Sequence, residues 1–375
     1  MTPRAQVAIV GAGIAGASLA AELAGHVSVL LLEAESQPGY HSTGRSAAFW
    51  SESYGGPLVQ PLTSASGRFL ADPPADFSDA PFLHARGAIH LADADGRPTL
   101  ERLAEAFAGS SVPLAAMDRA ALAAAVPGLR KGWDFGLYEP SCADIDVAAL
   151  HSAYLKRARA RGAMLVTDAR VEHAKRSGGS WRISTRAGEY RAEILANAAG
   201  AWADEVAAAA GEPPIGIRPF RRTLIQLRVD PPVGAGLPLV IEARERFYFK
   251  PEAGGRLWLS PHDETACDPG DCAAEEYDVA LAIDRMEQAV DWRVERVERS
   301  WAGLRSFAPD RLPVYGFSPS GRGFFWCAGQ GGFGIQTAPA AAKLAAALLL
   351  GRTADPPAEA IDPAPYRVDR FRTAG

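Results

Sequence analysis

Cysteine and histidine are both scarce in this chain. Its four cysteines include no Cys-x-x-Cys pair, and its seven histidines include no pair at the short spacing that zinc sites use. A disulfide framework and a zinc centre therefore lack a sequence signature. We predict no metal site and a reducing compartment.

Long apolar runs and an excess of positive charge are also missing. No uninterrupted apolar stretch reaches the roughly 18–20 residues of a membrane-spanning helix, so we expect no transmembrane segment. The formal net charge is −5, whereas nucleic-acid-binding proteins carry a clustered basic face, so we expect no nucleic-acid partner. We predict a cytoplasmic protein and leave open a peripheral position at the inner membrane.

The N-terminal segment has the pattern of a strand, a glycine turn, a helix and a second strand. Residues 6–10 read QVAIV, a run typical of a strand buried on both faces. GAGIAG and a helical stretch that ends at Gly25 follow, and the apolar run 27–33 ends in Glu33. A signal peptide is the alternative interpretation of this low-charge segment, but the second strand and its acid favour the first.

Each part of this pattern suits a dinucleotide. Gly11 permits a tight turn, Gly13 lets the backbone approach a pyrophosphate, and Gly16 lets the helix pack on the strand. The N–H groups at the helix N-terminus can bind the phosphates, and Glu33 can accept hydrogen bonds from ribose hydroxyls. The ordered series predicts a dinucleotide site, although the motif alone does not choose between NAD and FAD.

A second glycine loop, GQGGFG at residues 329–334, precedes an Ala/Leu-rich helix near the C-terminus. Its N–H groups and the helix N-terminus could stabilise the negative charge of a reduced isoalloxazine ring. A single loop of this kind would be interpreted as a packing feature. Two loops about 300 residues apart favour a ligand that spans them.

Several stretches resemble the D-amino acid oxidase / glycine oxidase superfamily of FAD enzymes, and within it the bacterial D-arginine dehydrogenase-like D-amino acid dehydrogenases. They are VAIVGAGIAGASLA with Glu33, QPGYHSTGRSAA, ADIDVAALHSAYL, ANAAGAWAD, RFYFKPEAG, WAGLRSFAPDRLPVYG and QGGFGIQT. The resemblance implies an α/β fold with two domains. A discontinuous Rossmann-like FAD-binding domain takes residues 1–80, 144–217 and 312–375, and an α+β substrate domain on a mainly antiparallel sheet takes 81–143 and 218–311.

The resemblance also implies non-covalent FAD and its contacts. The cofactor-binding residues are Gly11, Gly13, Ile14, Ala15, Gly16, Glu33 and Ala34; Thr43, Gly44, Arg45, Ser46, Ala47 and Ala48; Val171, Ala199, Gly200 and Trp202; and Gly303, Arg305, Gly331, Gly332, Phe333, Gly334, Ile335, Gln336 and Thr337. The backbone of Val171 is expected beside the adenine.

Two arginines stand where the family binds the substrate carboxylate, Arg222 and Arg305. A planar guanidinium binds a carboxylate bidentately and stays charged. Arg305 lies in the apolar stretch WAGLRSF, where an unpaired charge is costly and a partner or ligand is needed. Arg221 is adjacent to Arg222 and could take its role.

Further groups match the catalytic region of the family. Tyr54 and Tyr248 match tyrosines that face the substrate, and the Gly332 carbonyl and the Gln336 side chain match groups near the substrate amine and the flavin edge.

Three substrate-pocket positions depart from the arginine dehydrogenases. Ala88 replaces a glutamate, Phe49 a histidine and Ser51 a threonine. Without that glutamate a cationic substrate side chain would be buried unpaired, so we expect a larger, more apolar pocket and a neutral side chain. Glu52 or Glu242 could replace the missing acid.

The sequence therefore predicts an FAD-dependent D-amino acid dehydrogenase. It would transfer a hydride from the α-carbon to flavin, and the imino acid would hydrolyse to a 2-oxo acid and ammonia. The electron acceptor is unknown, with a quinone or an electron-transfer protein as candidates. The alternatives are a glycine/sarcosine-type oxidase, although LWLSPHD shows no counterpart of its flavin-facing lysine, and a non-catalytic flavin-binding subunit, which has no need of two carboxylate-binding arginines.

Overall fold

In the computed structural model, which describes residues 2–371, the N-terminal segment folds as the sequence predicted. Strand β1 (Arg4–Val10) leads through the glycine turn into helix α1 (Ile14–Leu23), and β2 (Val29–Leu32) follows. The second strand is shorter than the predicted run 27–33, and Glu33 comes directly after it. β1 and β2 pair in parallel, so the turn and Glu33 meet at the same edge of the sheet.

The first sheet has eight strands and contains β1 and β2. Its other members are β9 (Met164–Val166), β10 (Val171–Ser177), β11 (Ser180–Thr185), β12 (Gly188–Asn197), β19 (Val314–Phe317) and β20 (Phe324–Ala328). The strands β20, β12, β1, β2 and β9 are neighbours in that order and all parallel, which is the core of a doubly wound sheet. β10, β11 and β19 are added in antiparallel pairing.

Helices cover this sheet on both faces. They are α2 (Gln60–Ala71), α5 (Val147–Ala160), α6 (Ala203–Ala209) and α8 (Gly334–Leu350), together with α1. α1, α5 and α8 share one apolar core with the strands, and α6 packs into a second core on the opposite face. Asp146 caps the N-terminus of α5, and its carboxylate accepts a hydrogen bond from the N–H of Ala149 at 2.9 Å.

The second sheet has ten strands, and all but one of its pairings are antiparallel. They are β5 (Ala88–Ala92), β6 (Ala115–Met117), β7 (Phe135–Glu139), β13 (Arg218–Asp230), β14 (Leu239–Glu242), β15 (Tyr248–Glu252), β16 (Arg256–Ser260), β17 (Thr265–Ala266), β18 (Arg293–Phe307) and β21 (Gln330–Gly331). The remaining helices are α3 (Arg97–Phe107), α4 (Arg119–Ala125) and α7 (Glu276–Ala289). β21 joins β18, so a strand from the predicted FAD segment 312–375 reaches the substrate sheet. The domain boundaries stay a prediction.

A small third sheet brings together three segments from the N-terminal part of the chain. It consists of β3 (Phe49–Trp50), β4 (Leu83–Ala85) and β8 (Ala143–Ile145). Residues 83–85 end a segment, 72–85, that is rich in proline and aspartate and whose composition alone is typical of a loop. The strand forms because it pairs with Ala143–Ile145, a long-range contact that leaves no local pattern.

The fold class is therefore the predicted one, an α/β Rossmann-like unit with a second, mainly antiparallel sheet. Among residues 2–371, no helix combines the length and apolar character needed to cross a membrane.

The contact between α1 and the glycine turn yields a first prediction. A Cβ at Gly16 would lie 1.8 Å from the carbonyl oxygen of Gly11, so Gly16→Ala must push the helix from the turn at a cost of roughly 1–3 kcal/mol or more. We expect a melting temperature several degrees lower and loss of bound flavin absorbance. Gly109→Ala is the control, since a Cβ there meets nothing within 4 Å. Equal flavin content in the two variants would contradict the role of Gly16.

Candidate active site

A cavity of about 420 Å³ runs along the carboxyl edge of the parallel strands, from the β1–α1 turn to the start of α8. The predicted cofactor residues that line it are Gly11, Gly13, Ile14, Ala15, Glu33, Ala34, Thr43, Ser46, Val171, Ala199, Gly200, Trp202, Arg305, Gly331, Gly332, Gly334 and Ile335. The fold thus brings the two glycine loops to the wall of one cavity, which we call the cofactor cavity.

Hydrogen bonds fix the first glycine turn. The Glu33 carboxylate accepts from the N–H groups of Ala12 at 2.8 Å and Glu35 at 3.0 Å. The Thr43 hydroxyl accepts from the N–H of Ile14 at 3.0 Å, at the first residue of α1. Two of the lone pairs of Glu33 are used in this way, and the others are available to ribose hydroxyls.

The turn leaves no room for side chains, as a site for a close-lying dinucleotide requires. A Cβ at Gly11 would lie 2.5 Å from the carbonyl oxygen of Ala198, which directly follows the neighbouring strand β12. Below the turn, His151 Nε2 donates to the carbonyl of Ala12 at 2.8 Å. Burial lowers the pKa of His151, so the ring is a neutral support. The cradle and its acid fit the adenosine and pyrophosphate of FAD.

Other predicted cofactor residues lie off this cavity. They are Gly16, Gly44, Arg45, Ala47, Ala48, Gly303, Phe333, Gln336 and Thr337. Ala47, Ala48 and Gln336 line a smaller cavity described below. Arg45 pairs with Asp271 at 2.6 Å and donates to the carbonyls of Ala302 and Cys272. Its guanidinium therefore ties a distant loop to the cavity wall, a role that local sequence could not reveal.

Tyr40 and His41, which had no predicted role, form an aromatic cluster on the cavity together with Trp202. His41 lines it with its ring centroid 4.6 Å from that of Trp202 and 5.0 Å from that of Tyr40. His41 Nε2 lies 3.0 Å from the Glu35 carboxylate. Both residues belong to the motif QPGYH, which the family resemblance includes, but the motif by itself does not indicate what Tyr40 and His41 contact.

A second, smaller cavity of about 20 Å³ shares a wall with the first. Its lining residues are Ser46, Ala47, Ala48, Phe49, Tyr54, Arg222, Tyr248, Arg305, Gly332, Ile335 and Gln336. This space, which we call the reaction cavity, has room for little more than a water molecule. That the pocket is larger and more apolar than that of the arginine dehydrogenases stays a prediction. The ring of Phe49 lies against those of Tyr54 and Tyr248, and the three rings form the apolar side of the cavity.

Arg305 is the decisive residue of the reaction cavity. The residue is only 6% exposed, its Nε is buried without a hydrogen-bond partner, and Arg305 forms no ion pair with any residue between 2 and 371. A buried, uncompensated cation is costly. The cavity is therefore built to receive an anion.

Arg222 lies on the same cavity and is 2% exposed. It donates to the Asp263 carbonyl at 2.8 Å and to the Glu264 carboxylate at 3.1 Å. Arg221 points to the opposite side of the strand, as alternation requires, and pairs with Asp278 at 2.7 Å. Arg222, and not Arg221, thus faces the cavity.

A histidine that the sequence analysis did not assign lies behind Tyr248. The His262 ring centroid is 5.3 Å from that of Tyr248, edge to face. Burial, together with the charges of Arg222 and Arg305, lowers the pKa of His262 well below its ordinary value, so the ring is neutral. Burial raises the pKa of Tyr248, and the two arginines only partly offset this. Both rings therefore stay uncharged near neutral pH.

Two of the three departing positions lie behind the reaction cavity. Ala88 is fully buried in a cluster with Ala47 and Tyr248, and Ser51 is fully buried against Glu139. Ala88 is directly opposite Glu139 in the second sheet. A glutamate at 88 would therefore face a second carboxylate across the strands, which is destabilising.

The two acids proposed as replacements are engaged elsewhere. Glu52 accepts from the Ser64 hydroxyl at 2.5 Å, and Glu242 pairs with Arg244 and Arg246 at 3.2 Å each. Neither lines the reaction cavity, and none of its described lining residues is acidic.

Comparison with known proteins identifies the family. The model of the family described as DAO, FAD dependent oxidoreductase, matches residues 6–348. The chain belongs to this family. It is similar to the glycine oxidase of Geobacillus kaustophilus (strain HTA426), at 25% identity over 385 residues that cover 99% of this chain and 98% of that protein. It is also similar to the glycine oxidase of Pseudomonas aeruginosa, at 28% identity over 394 residues that cover 96% and 98%.

Solved structures share the fold. A crystal structure of glycine oxidase from Geobacillus kaustophilus has a TM-score of 0.85 at 24% identity and covers 99% of this chain and 100% of its own. The L-proline dehydrogenase from P. horikoshii has a TM-score of 0.81 at 21% identity, with 97% and 98% covered. The chain is thus a member of a family of FAD-dependent oxidoreductases, as the sequence predicted at this level.

The unpaired charge of Arg305 yields a second prediction. In the holoenzyme, Arg305→Met removes a buried cation without an anion, so the ligand-free variant should be at least as stable as the parent. Butanoate, a carboxylate without an amine, should raise the melting temperature of the parent but not that of Arg305→Met. Arg299→Met, which removes an exposed arginine from the same strand, is the control. A normal butanoate response in Arg305→Met would show that Arg305 does not bind the anion.

Proposed function

We propose that this DAO-family enzyme oxidises a neutral D-amino acid to an imino acid, which hydrolyses to a 2-oxo acid and ammonia. The observation that carries the proposal is the unpaired guanidinium of Arg305. Arg305 lines both the reaction cavity and the adjoining cofactor cavity. An α-carboxylate supplies the missing charge in the planar, bidentate form that a guanidinium prefers.

Arg222 supports the same assignment. It lies on the reaction cavity with its Nε and one terminal nitrogen already bonded to the 263–264 segment. Its orientation is thereby fixed before a ligand arrives, which reduces the entropy lost on binding. The two buried arginines, with the hydroxyls of Tyr54 and Tyr248 on the same cavity, suit one substrate carboxylate. Their positive charges disfavour a substrate whose side chain is also a cation.

The side chain of the substrate meets an uncharged wall. Phe49, Tyr54 and Tyr248 supply apolar surface, and no described residue on the reaction cavity carries a negative charge. Burying a guanidinium or ammonium there would cost several kcal/mol, on the order of the unpaired-charge penalty. We therefore propose neutral side chains of small to medium size. The D configuration rests on the motifs QPGYHSTGRSAA and WAGLRSF.

The reaction needs positioning rather than a strong protein base. FAD, when bound, supplies the acceptor for the hydride that leaves the α-carbon. The chain holds the carboxylate at Arg305 and Arg222, keeps water out with its aromatic wall, and offers the carbonyl of Gly332 to the substrate amine. A Cβ at Gly332 would lie 2.1 Å from the Tyr54 hydroxyl, so glycine lets Tyr54 close over this carbonyl.

Gln336, which lines the reaction cavity, also supports its wall. Its side-chain oxygen accepts from the N–H of Ser51 at 3.2 Å, and its nitrogen donates to Thr63 at 2.9 Å and to the carbonyl of Tyr54 at 3.3 Å. With both of its N–H groups used, Gln336 holds the segment that carries Tyr54 in place.

We propose that the electrons leave to an acceptor other than oxygen, a quinone or an electron-transfer protein. No lysine is among the described residues that line either cavity. The nearby Lys250 instead pairs with Asp144 at 2.7 Å.

An anaerobic titration tests the proposed function. The holoenzyme is mixed without oxygen with glycine, the L and D forms of alanine, leucine and methionine, and D-phenylalanine, D-arginine and D-lysine, and bleaching of the flavin absorbance is followed. We expect neutral D-amino acids to exceed D-arginine and D-lysine by tenfold or more in the second-order rate constant, about 1.4 kcal/mol. A tenfold preference for a cationic or L-amino acid would contradict the proposal.

The same preparation tests the electron acceptor in air. Turnover with a dye acceptor should be much faster than hydrogen peroxide production. Equal rates would favour an oxidase, the activity that the names of the similar Geobacillus and Pseudomonas enzymes carry.

A further inference from the structure

Glu139, at the end of β7, is a fully buried carboxylate that neither the sequence analysis nor the proposed reaction uses. One of its oxygens accepts from the N–H of Glu52 at 2.7 Å. The other accepts from the hydroxyls of Ser51 at 3.0 Å and Ser53 at 2.6 Å. His90 Nε2 lies 3.4 Å from this second oxygen.

The network around Glu139 favours its ionised form. Burial alone would raise the pKa of Glu139, but the hydrogen bond and charge of His90, with the hydroxyls of Ser53 and Ser51, lower it below its ordinary value. An ionised carboxylate only accepts hydrogen bonds, so every donor that surrounds it is satisfied by it.

The residues that Glu139 holds carry the wall of the reaction cavity. Phe49 and Tyr54 flank the held residues 51–53 and both line that cavity. The opposite side of the segment is held by Gln336, at the start of α8, through the N–H of Ser51 and the carbonyl of Tyr54. Segment 49–54 is thus clamped between the second sheet and the helix that begins at the cofactor cavity.

We propose that Glu139 is a positioning residue of the reaction cavity, which fixes segment 49–54 so that Phe49 and Tyr54 close over the carboxylate bound at Arg305. The inference rests on the proposed carboxylate site. Without Glu139, the buried N–H of Glu52 and two hydroxyls lose their acceptor, and each unsatisfied group is costly. The segment relieves this cost by moving, and the aromatic wall moves with it.

The chain offers a closely matched control. Glu212 is also a buried carboxylate that accepts from two serine hydroxyls two residues apart, Ser318 at 2.5 Å and Ser320 at 2.9 Å. It lines neither cavity. Glu212 also pairs with Arg322 at 2.9 Å, as Glu139 lies beside His90. Glu212→Met therefore removes a buried carboxylate with comparable serine partners, and an additional ion pair, away from the reaction cavity.

The experiment compares Glu139→Met, Glu139→Gln and Glu212→Met as holoenzymes. Backbone hydrogen exchange of the peptide that covers residues 49–56 is measured, with the dissociation constant of butanoate from the change in flavin absorbance. In Glu139→Met we expect exchange of this peptide to accelerate at least tenfold and the butanoate constant to rise at least tenfold. Glu139→Gln keeps one acceptor for the Glu52 N–H and should recover part of both losses. Glu212→Met should leave both readouts as in the parent.

Three results would overturn or redirect the inference. Unchanged exchange in Glu139→Met, or faster exchange with an unchanged butanoate constant, would contradict positioning. Equal losses in Glu212→Met would show a general effect of stability. If the parent itself fails to bind butanoate, the proposed carboxylate site is wrong, and the exchange of residues 49–56 alone decides whether Glu139 holds the segment. If Glu139→Met yields no holoenzyme, Glu139→Gln is compared with Glu212→Gln, and a shift of about threefold in both readouts is expected only in the former.

Discussion

The buried charge of Arg305 is the constraint on which the rest of the site depends. A guanidinium that has no ion-pair partner in the described chain lowers the free energy of unfolding until an anion binds. We interpret this loss of stability as the consequence of a site that is built to bind an anion. The long antiparallel strands β13 and β18 make it possible, because they place Arg222 and Arg305 on one cavity within a continuous hydrogen-bonded ladder. The second sheet serves as the rigid support for two cations that would otherwise move toward solvent.

The first sheet positions the dinucleotide site next to these cations. Its parallel strands place the first glycine turn and Glu33 at one edge, and the start of α8 lines the same cavity. The cofactor cavity and the reaction cavity share Ser46, Arg305, Gly332 and Ile335. A ring held by the first cavity would therefore lie against a carboxylate held in the second, and such proximity is a major source of catalysis.

Local sequence patterns predicted those parts of the structure that depend on residues close together in the chain. The strand, turn and helix at the N-terminus, the family and its FAD, and the strand that carries Arg305 all have such patterns. The parts that were missed depend on residues far apart in the chain. Arg45 meets Asp271, Glu139 meets Ser51, and Leu83–Ala85 pairs with Ala143–Ile145. No periodicity or spacing marks these contacts, since each partner is chosen by the fold.

The choice between Arg221 and Arg222 shows the same limit on a single strand. Adjacent residues of a strand face opposite sides, but the sequence does not state which side faces the ligand. Glu275 and Asp278 of the α7 region decide it, because they neutralise Arg221 on the far side. Position 88 lacks the family's glutamate, but the residue directly opposite it on the neighbouring strand is Glu139. The Glu139 carboxylate accepts hydrogen bonds from residues 51–53 of the protein and is not available to a substrate cation.

The central claim, that the reaction cavity recognises the α-carboxylate, is tested most directly by removing the charge from the substrate. The rate of anaerobic flavin reduction is measured over a range of D-leucine concentrations and again with D-leucinamide, which differs only in its neutral amide. Loss of a buried charge-assisted pair costs about 2–5 kcal/mol, so the account predicts a second-order rate constant at least about 30-fold lower for the amide. Equal rate constants for the two compounds would contradict it.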